Sequence, residues 1–322
     1  MTFQLDDLPV LSRSTVDRQE PLRDDVERQR SLWPKALVLR VDRRGRLQLS
    51  GDSLTFVPTT ELPPSTMDSA VLLGEQDEVA YWAVLADDTA GDTADGTAPD
   101  DDPSWADLRM CGATLDATSA GLAVTAVAVV GWHRRASFCP RCGHRSERAR
   151  AGWARVCPQC SLEEYPRTDP AVICLVHDGA DQVLLARQPS WPAGRFSVLA
   201  GFVEAGESLE ACVAREILEE VGVTVHGVRY LGSQPWPFPR SLMIGFEAVA
   251  GRDQPVRPAA GEIAEARWVT RDEIRAALAA GSWSNRVGPV HGADAGLVLP
   301  GEVSIAGRML AAWATASVPQ AS

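Results

Sequence analysis

Residues 201–223, GFVEAGESLEACVAREILEEVGV, decide the fold because they join a glycine-containing turn to an unusually acidic helix. Apolar side chains recur at helical spacing over residues 208–221, which predicts a helix there. Glu216, Glu219 and Glu220 stand at i, i+3 and i+4, so their carboxylates meet on one face of that helix. Since like charges this close repel one another, the face requires a cation, and hard carboxylate oxygens favour Mg²⁺ or Mn²⁺.

An ordinary solvated acidic face is the alternative explanation for this run of glutamates. It accounts neither for Gly201 and Gly206 nor for the absence of alternating lysines. Arg215, next to the cluster, is expected to orient one carboxylate through a bidentate contact. Divalent metal clustered this way suits the attack of water on a diphosphate, because it neutralises phosphate oxygens and lowers the pKa of a bound water.

The same stretch resembles the Nudix box of the Nudix hydrolases, and every defining position of that box is filled. The resemblance implies hydrolysis of a nucleoside diphosphate linked to another moiety. It also implies a set of ligands for Mg²⁺ or Mn²⁺: Ala200 through its backbone, Glu216, Glu219, Glu220 and a distal glutamate, either Glu262, the better match, or Glu265. The catalytic set is Arg215, Glu219 and Glu220, and the sequence does not decide which of the two glutamates is the base.

Two CxxC pairs, Cys139 with Cys142 and Cys157 with Cys160, precede this stretch and are separated by fourteen residues. Two such turns complete a tetrahedron of thiolates around Zn²⁺. Redox or disulfide pairs are the alternatives, but the N-terminus has no secretory signal pattern, which favours zinc. Four thiolates leave no open position, so the predicted zinc site is structural. The other three cysteines lie in apolar runs and are predicted to be small buried side chains: Cys111, Cys174 and Cys212.

A second motif, SQPWPFPRS at residues 233–241, follows the acidic helix. Its three prolines alternate with Gln, Trp and Phe, which predicts a stiff extended segment whose aromatic rings wall a base pocket. The motif resembles the signature of the bacterial NADH pyrophosphatases of the NudC type, which also carry a four-cysteine ribbon before their Nudix domain. That resemblance implies cleavage of NAD(H) into NMN(H) and AMP, and removal of the NAD cap from RNA. It implies these substrate-binding residues: Tyr165 stacking on adenine, Phe202 at the other base, Gln234, Pro235, Trp236, Pro237, Phe238, Pro239, Arg240, Ser241 and the backbone of Ala306.

The remaining pattern predicts an α/β (α+β) chain in three parts. Residues 1–130 form an N-terminal α+β domain with strands at 36–41, 47–49 and Val79–Leu85. Residues 131–168 form the four-cysteine zinc ribbon, and residues 169–322 form a Nudix domain, an α/β/α sandwich. Residues 87–103 contain seven aspartates and no Lys or Arg, which predicts a disordered acidic loop.

Composition limits the remaining function classes. The net charge is −12, and the longest apolar run, residues 121–132, is too short to cross a bilayer. A cytoplasmic protein that does not enter membranes is therefore expected, and the resemblance adds a homodimer. Two alternatives remain: a Nudix hydrolase of another nucleotide such as ADP-ribose, which would lack SQPWPFPRS, and a non-catalytic nucleic-acid-binding protein using the basic ribbon. The latter would not need all three glutamates, and the acidic net charge fits it poorly.

Overall fold

The computed structural model describes residues 3–86, 102–283 and 296–316. The chain divides into two compact units. Arg13–Thr168 with Trp236–Arg240 form one, called here the N-terminal unit, and the C-terminal unit comprises Met1–Ser12, Asp169–Pro235 and Ser241–Ser322. The predicted acidic loop lies outside the described residues except for Asp102 and Pro103.

The N-terminal unit has a seven-stranded sheet with a long helix packed against it. Its strands are β1 (Leu37–Val41), β2 (Leu47–Ser50), β3 (Ser53–Leu54), β4 (Phe56–Pro58), β5 (Val71–Gln76), β6 (Val79–Leu85) and β7 (Trp105–Ala106). Its helices are α1 (Val26–Leu32), α2 (Thr66–Ser69), α3 (Leu108–Cys111) and α4 (Ala117–Arg135). The strand order is β3-β2-β1-β6-β5, with β4 paired to β1 and β7 to β2; β1 and β6 are parallel. The three predicted strands are found as β1, β2 and β6, whereas β3, β4, β5 and β7 were not predicted.

Helix α4 contains the longest apolar run of the sequence. It begins after Asp116, whose side chain accepts a hydrogen bond from the Ser119 amide, and it continues to Arg135. Its central residues are buried against the sheet, which explains why the run is apolar on all sides. Among the described residues, no helix combines the length and the apolar character that a membrane span requires.

The ribbon follows α4 and contains three short antiparallel strands in the order β10-β9-β8. They are β8 (Glu147–Ala149), β9 (Ala154–Val156) and β10 (Glu163–Glu164). One CxxC pair precedes β8, and the other lies in the turn between β9 and β10. The strands therefore bring the two pairs to one end of the ribbon.

The C-terminal unit is built on a six-stranded sheet of order β14-β15-β11-β12-β16, with β13 paired to β11. Its strands are β11 (Asp169–His177), β12 (Gln182–Arg187), β13 (Leu199–Phe202), β14 (His226–Trp236), β15 (Ser241–Val249) and β16 (Glu265–Thr270). Its helices are α5 (Leu209–Val221), α6 (Arg271–Ala279) and α7 (Ile305–Thr315). The last residue of β14, Trp236, is grouped with the N-terminal unit.

Strand β11 shows why this sheet has helices on both faces. Ile173 and Leu175 belong to one apolar cluster, with residues of α6 and α7. Val172 and Cys174 belong to the other, with residues of α5. Since successive side chains of a strand point to opposite faces, a strand buried on both sides reads as a continuous apolar run. The predicted α/β/α sandwich is confirmed.

Candidate active site

Helix α5 is held by a cap at each end. Ser208 Oγ accepts a hydrogen bond from the Ala211 amide at 3.2 Å, and Gly222 ends the helix at φ 72°. The helix packs beside β13, where Glu216 lies against Gly201. A Cβ at residue 201 would lie 1.9 Å from Cδ of Glu216, so a larger residue would push this carboxylate out of its present position.

A cavity of about 550 Å³ opens between α5, β13 and the loop before β16. Three of the predicted metal ligands line it: Glu216 and Glu220 from α5, and Glu262 from the loop. Phe202, 58% exposed, lines the same cavity. Glu265, the alternative distal ligand, instead begins β16, with Oε2 3.8 Å from Nε of Arg187. The structure therefore brings together three predicted ligands, one from the loop and two from the helix, and Glu204 is a fourth carboxylate in the lining.

Glu220 is the most perturbed carboxylate in the cavity. It is 8% exposed, and its Oε2 has no hydrogen-bond partner among the described residues. Burial raises its pKa to about 8, and the neighbouring charges of Glu216 and Glu262 add to this, while the Ala200 amide opposes it. Since a buried carboxylate without a partner is costly, this oxygen and its two acidic neighbours fit a hard divalent cation.

Arg215 organises the carboxylates next to the cavity. Its Nε and Nη2 donate to the two oxygens of Glu207, both at 2.8 Å, and its Nη1 donates to Glu216 and Glu219, both at 2.9 Å. This pairing lowers the pKa of Glu207 to about 2. Burial raises the pKa of Glu216 despite the same arginine. The expected bidentate contact of Arg215 is therefore made with Glu207.

Glu219 is the one predicted helix ligand that does not line the cavity. Its side chain is 56% exposed and is held by Arg215, and the residues that line the described cavity do not include it. Because Nη1 of Arg215 binds both Glu216 and Glu219, these two carboxylates are neighbours, but only Glu216 borders the cavity. The three glutamates share a helix face, as the spacing predicts, but only two of them reach the cavity.

The part of the SQPWPFPRS motif in the C-terminal unit is largely buried. Gln234 is fully buried, and its Nε2 donates to the Val303 carbonyl at 2.6 Å. Ser241 begins β15 and is 9% exposed. The backbone amide of Ala306 donates to Ser304 Oγ at 3.3 Å, which caps α7.

The remainder of the motif belongs to the N-terminal unit. The Trp236 and Phe238 rings lie 5.0 Å apart at 80°, and the Arg109 guanidinium lies 4.9 Å from the Phe238 ring centroid. The Pro239 carbonyl accepts a hydrogen bond from Arg135 at 3.2 Å. Edge-on aromatic packing and a cation–π contact therefore hold residues 236–240 in a fixed conformation.

Tyr165 follows the last strand of the ribbon and is 49% exposed. Its hydroxyl donates to Glu163 at 2.6 Å. This bond orients the phenol ring, and about half of the side chain is exposed to solvent.

The four ribbon cysteines form the second candidate metal centre. Their sulfurs all lie within 4.8 Å of one another, with 3.6 Å between Cys139 and Cys160 and 3.5 Å between Cys142 and Cys157. A Zn–S bond near 2.3 Å in a tetrahedron corresponds to a sulfur separation of about 3.8 Å. The sulfur positions therefore fit one zinc ion. As predicted, the other three cysteines are buried: Cys111, Cys174 and Cys212.

Sequence reasoning missed two parts of the active-site region. Glu207, the bidentate partner of Arg215, occupies a fixed position of the Nudix box, so its spacing from Gly201 could have revealed it. Residues 188–190 form a wall of the cavity after β12. They carry no motif, because only strand pairing brings this loop to α5.

Comparison with known proteins agrees with this geometry along the chain. Residues 167–288 match the NUDIX domain model, residues 134–165 the NADH pyrophosphatase zinc ribbon domain, and residues 30–132 the NADH pyrophosphatase-like rudimentary NUDIX domain. The chain belongs to the Nudix hydrolase family.

Its curated relatives narrow the family further. The chain is 50% identical over 313 residues to the NAD-capped RNA hydrolase NudC of Mycobacterium bovis, covering 97% of this chain and 96% of that protein. The corresponding protein of Mycobacterium tuberculosis is 49% identical over the same shares. Within the Nudix hydrolases, the chain therefore belongs to the zinc-ribbon NADH pyrophosphatases, as the two motifs predicted. Among solved structures, a Nudix hydrolase from Nitrosomonas europaea is 26% identical, covering 42% of this chain and 78% of its own, with a TM-score of 0.36.

Proposed function

We propose that this enzyme hydrolyses the diphosphate of NAD(H) to NMN(H) and AMP, and also removes the NAD cap from RNA. The observation that carries the reaction is the meeting of Glu216, Glu220 and Glu262 in one cavity, with an unpartnered oxygen on Glu220. The substrate is supported by the names of relatives about half identical over nearly the whole chain.

Divalent metal, Mg²⁺ or Mn²⁺, is the proposed catalytic cofactor. Glu216, Glu220 and Glu262 would hold it together with the backbone of Ala200, and Glu219 is the proposed additional ligand. When bound, such ions neutralise the diphosphate and lower the pKa of a water. The zinc of the ribbon has no open position and serves the fold.

The side chains themselves position groups and move protons. The base is Glu219 or Glu220, and the location of Glu220 in the cavity, with a pKa raised towards neutrality, favours Glu220. Arg215 is a positioning residue, because it holds Glu207 with two hydrogen bonds and Glu216 with one. Loss of this arginine would allow Glu216 to leave its place beside Gly201.

Recognition of the dinucleotide is assigned to aromatic and backbone groups. We propose that Tyr165 stacks on adenine and that Phe202, exposed at the cavity, contacts the other base. The remaining substrate-binding set is Gln234, Pro235, Trp236, Pro237, Phe238, Pro239, Arg240, Ser241 and the backbone of Ala306.

The test is a competition between three substrates with Mg²⁺ and with Mn²⁺: NADH, NAD-capped RNA and ADP-ribose. Chromatography should show NMNH and AMP from NADH, and RNA with a 5′ monophosphate from capped RNA. A higher kcat/KM for ADP-ribose than for both nicotinamide substrates would transfer the assignment to the alternative Nudix substrate. No hydrolysis of any of them with either metal would refute the assignment entirely.

On the basis of family resemblance, we also propose that the enzyme is a homodimer and acts in the cytoplasm. Light scattering should then give twice the chain mass of 34.6 kDa. A mass equal to that of a single chain at assay concentration would contradict the dimer.

A further inference from the structure

A second cavity, of about 450 Å³, lies within the N-terminal unit. We call it the ribbon cavity. The C-terminal turn of α4 forms part of its wall, and the ribbon forms most of the rest. Its charged lining residues are Arg134, Arg145, Arg148, Arg155, Asp68 and Glu147. The volume is in the range of small-molecule binding pockets.

The ribbon cavity has a positive surplus in a chain whose net charge is −12. Four arginines face two carboxylates, and the remaining titratable lining group, His133, is neutral. Burial lowers the pKa of His133 to about 3, and Arg148 and Arg155 lower it further, while the Gly152 carbonyl opposes this. A neutral imidazole neither adds to the positive charge nor offsets it.

Arg155 is the buried arginine of this lining, and its hydrogen bonds go to neutral groups. It is 6% exposed, and its guanidinium donates to Ser146 Oγ at 2.8 Å, to the Ser146 carbonyl, and to His133 Nδ1 at 3.1 Å. All three acceptors are neutral, and no ion pair of Arg155 occurs in the parts of the chain that the structure describes. Burying a guanidinium without an anion costs free energy, so this site favours one.

The zinc thiolates are the nearest alternative explanation for the arginines, since four thiolates and Zn²⁺ sum to −2. The hydrogen bonds of Arg155 do not go to cysteine sulfur, however; they go to Ser146 and His133. His133 in turn bonds to the Gly152 carbonyl at 2.7 Å, so its Nδ1 is left to accept from Arg155. The network thus holds the guanidinium as part of the cavity wall.

We propose that the ribbon cavity binds a phosphate group, with the guanidinium groups of Arg145 and Arg155 among its donors. A guanidinium group matches the geometry of phosphate through paired hydrogen bonds. Several arginines around one cavity supply more positive charge and more donors than a single carboxylate can pair with, which favours phosphate. The phosphate comes either from the backbone of an RNA strand or from a small phosphate ester. The RNA source rests on the proposed function, in which capped RNA is a substrate.

Binding is tested on full-length, zinc-loaded protein with a fluorescent single-stranded RNA that carries a 5′ hydroxyl and no cap. This probe has no diphosphate to cleave, so binding is measured independently of catalysis. Arg145→Ala should weaken binding and reduce the slope of log Kd against log salt by about 0.7, the value for one lost phosphate contact on a single strand. Arg145→Lys, which keeps the charge, should keep most of the slope.

Arg141→Ala is the matched control, because Arg141 is also an exposed arginine of the ribbon but does not line the cavity. It should leave the slope unchanged. A second arm measures thermal stabilisation by inorganic phosphate and by AMP in the same variants. Zinc content confirms that each variant is folded.

A slope change confined to Arg145→Ala supports the cavity with RNA as the phosphate source. Unchanged RNA binding with phosphate or AMP stabilisation lost only in Arg145→Ala supports it with a small ester as the source. Equal behaviour of the Arg145→Ala and Arg141→Ala variants in both arms overturns the proposal. Failure of the wild-type enzyme to decap RNA would instead refute the proposed function and leave both binding arms informative.

Discussion

The four-cysteine centre of the ribbon and the carboxylate centre beside α5 both bring several acidic side chains close together, where a cation would neutralise them. They do so with different arrangements of the chain. In the ribbon, two turns of the same kind bring four sulfurs within 4.8 Å of one another. Beside α5, the carboxylates come from a helix and a distant loop, and Glu219, which is paired with Arg215, does not line the cavity. A closed set of ligands stabilises a fold, whereas an open, partly unpaired set leaves room for a substrate.

The first test of this comparison removes one ligand from the four-cysteine site. Cys157→Ser should abolish bound zinc and lower the free energy of unfolding by about 4 kcal/mol or more, because metal binding and folding are coupled. Metal analysis and urea denaturation check this. Cys111→Ala, a free buried cysteine in the same unit, should keep one zinc per chain. A Cys157→Ser protein that still holds a full equivalent of zinc would exclude this ligand set.

The second test removes one negative charge from the carboxylate centre. Glu220→Gln keeps the size of the side chain but removes the charge that holds metal or accepts a proton. NADH turnover should fall by about a hundredfold or more with the fold intact. Glu210→Gln, on an exposed position of the same helix, should be close to wild type. Near-normal turnover of Glu220→Gln would mean that the carboxylates are only a solvated helix face.

A third experiment asks whether the ribbon contributes recognition as well as stability. Base stacking on an aromatic ring is worth about 1–3 kcal/mol, so Tyr165→Ala should reduce kcat/KM by roughly ten- to a hundredfold for both NADH and NAD-capped RNA. The loss should persist with ADP-ribose if the stack is with adenine, and should be much smaller if it is with nicotinamide.

Two variants control the Tyr165 experiment. Tyr165→Phe keeps the ring and loses the hydroxyl with its contacts to Glu163 and Arg150, so it should be nearly normal. Phe138→Ala removes another exposed ribbon aromatic and should have little effect. If Tyr165→Ala leaves all three substrates unaffected, this tyrosine has no part in binding.

The smallest expected effect is a pH dependence of Mg²⁺ binding at the carboxylate centre near neutrality. Burial and the neighbouring carboxylates raise the pKa of Glu220 to about 8, so below that pH the metal-free folded protein holds a proton there. Mg²⁺ must displace this proton, so its affinity should rise by up to about tenfold per pH unit towards pH 8 and level off above. Without Mg²⁺ the sign reverses: stability falls as pH rises from the unfolded value of 4.5 towards 8.

Mg²⁺ titrations followed by tryptophan fluorescence at several pH values measure this dependence. Glu220→Gln should flatten it, because the proton that competes with the metal is absent. An Mg²⁺ affinity of the wild-type protein that does not change between pH 6 and pH 8 would show that Glu220 is already ionised.

The two centres also differ in how far the sequence predicts them. The cysteine centre is local, so the CxxC spacing was enough to group its sulfurs. The positions of Glu216 and Glu220 followed from helical spacing, but the capture of Glu219 by Arg215 did not, because rotamers depend on the partners available. Which of Glu262 and Glu265 reaches the cavity depends on where β16 begins. The family motifs predicted the sandwich, while β5 has no strong strand signature beyond a short apolar run.

The contact between Gly201 and Glu216 has a consequence for how this enzyme can change over evolution. A methyl group at residue 201 would overlap the carboxyl carbon of Glu216 where it now lies, so any side chain at 201 forces this carboxylate to move. We expect Gly201→Ala to reduce turnover strongly, because it displaces a proposed metal ligand, and Glu216→Asp to reduce it as well, because its shorter side chain withdraws from the cavity. A drifting copy of this gene would therefore lose activity at either first step, which keeps the glycine and the glutamate together.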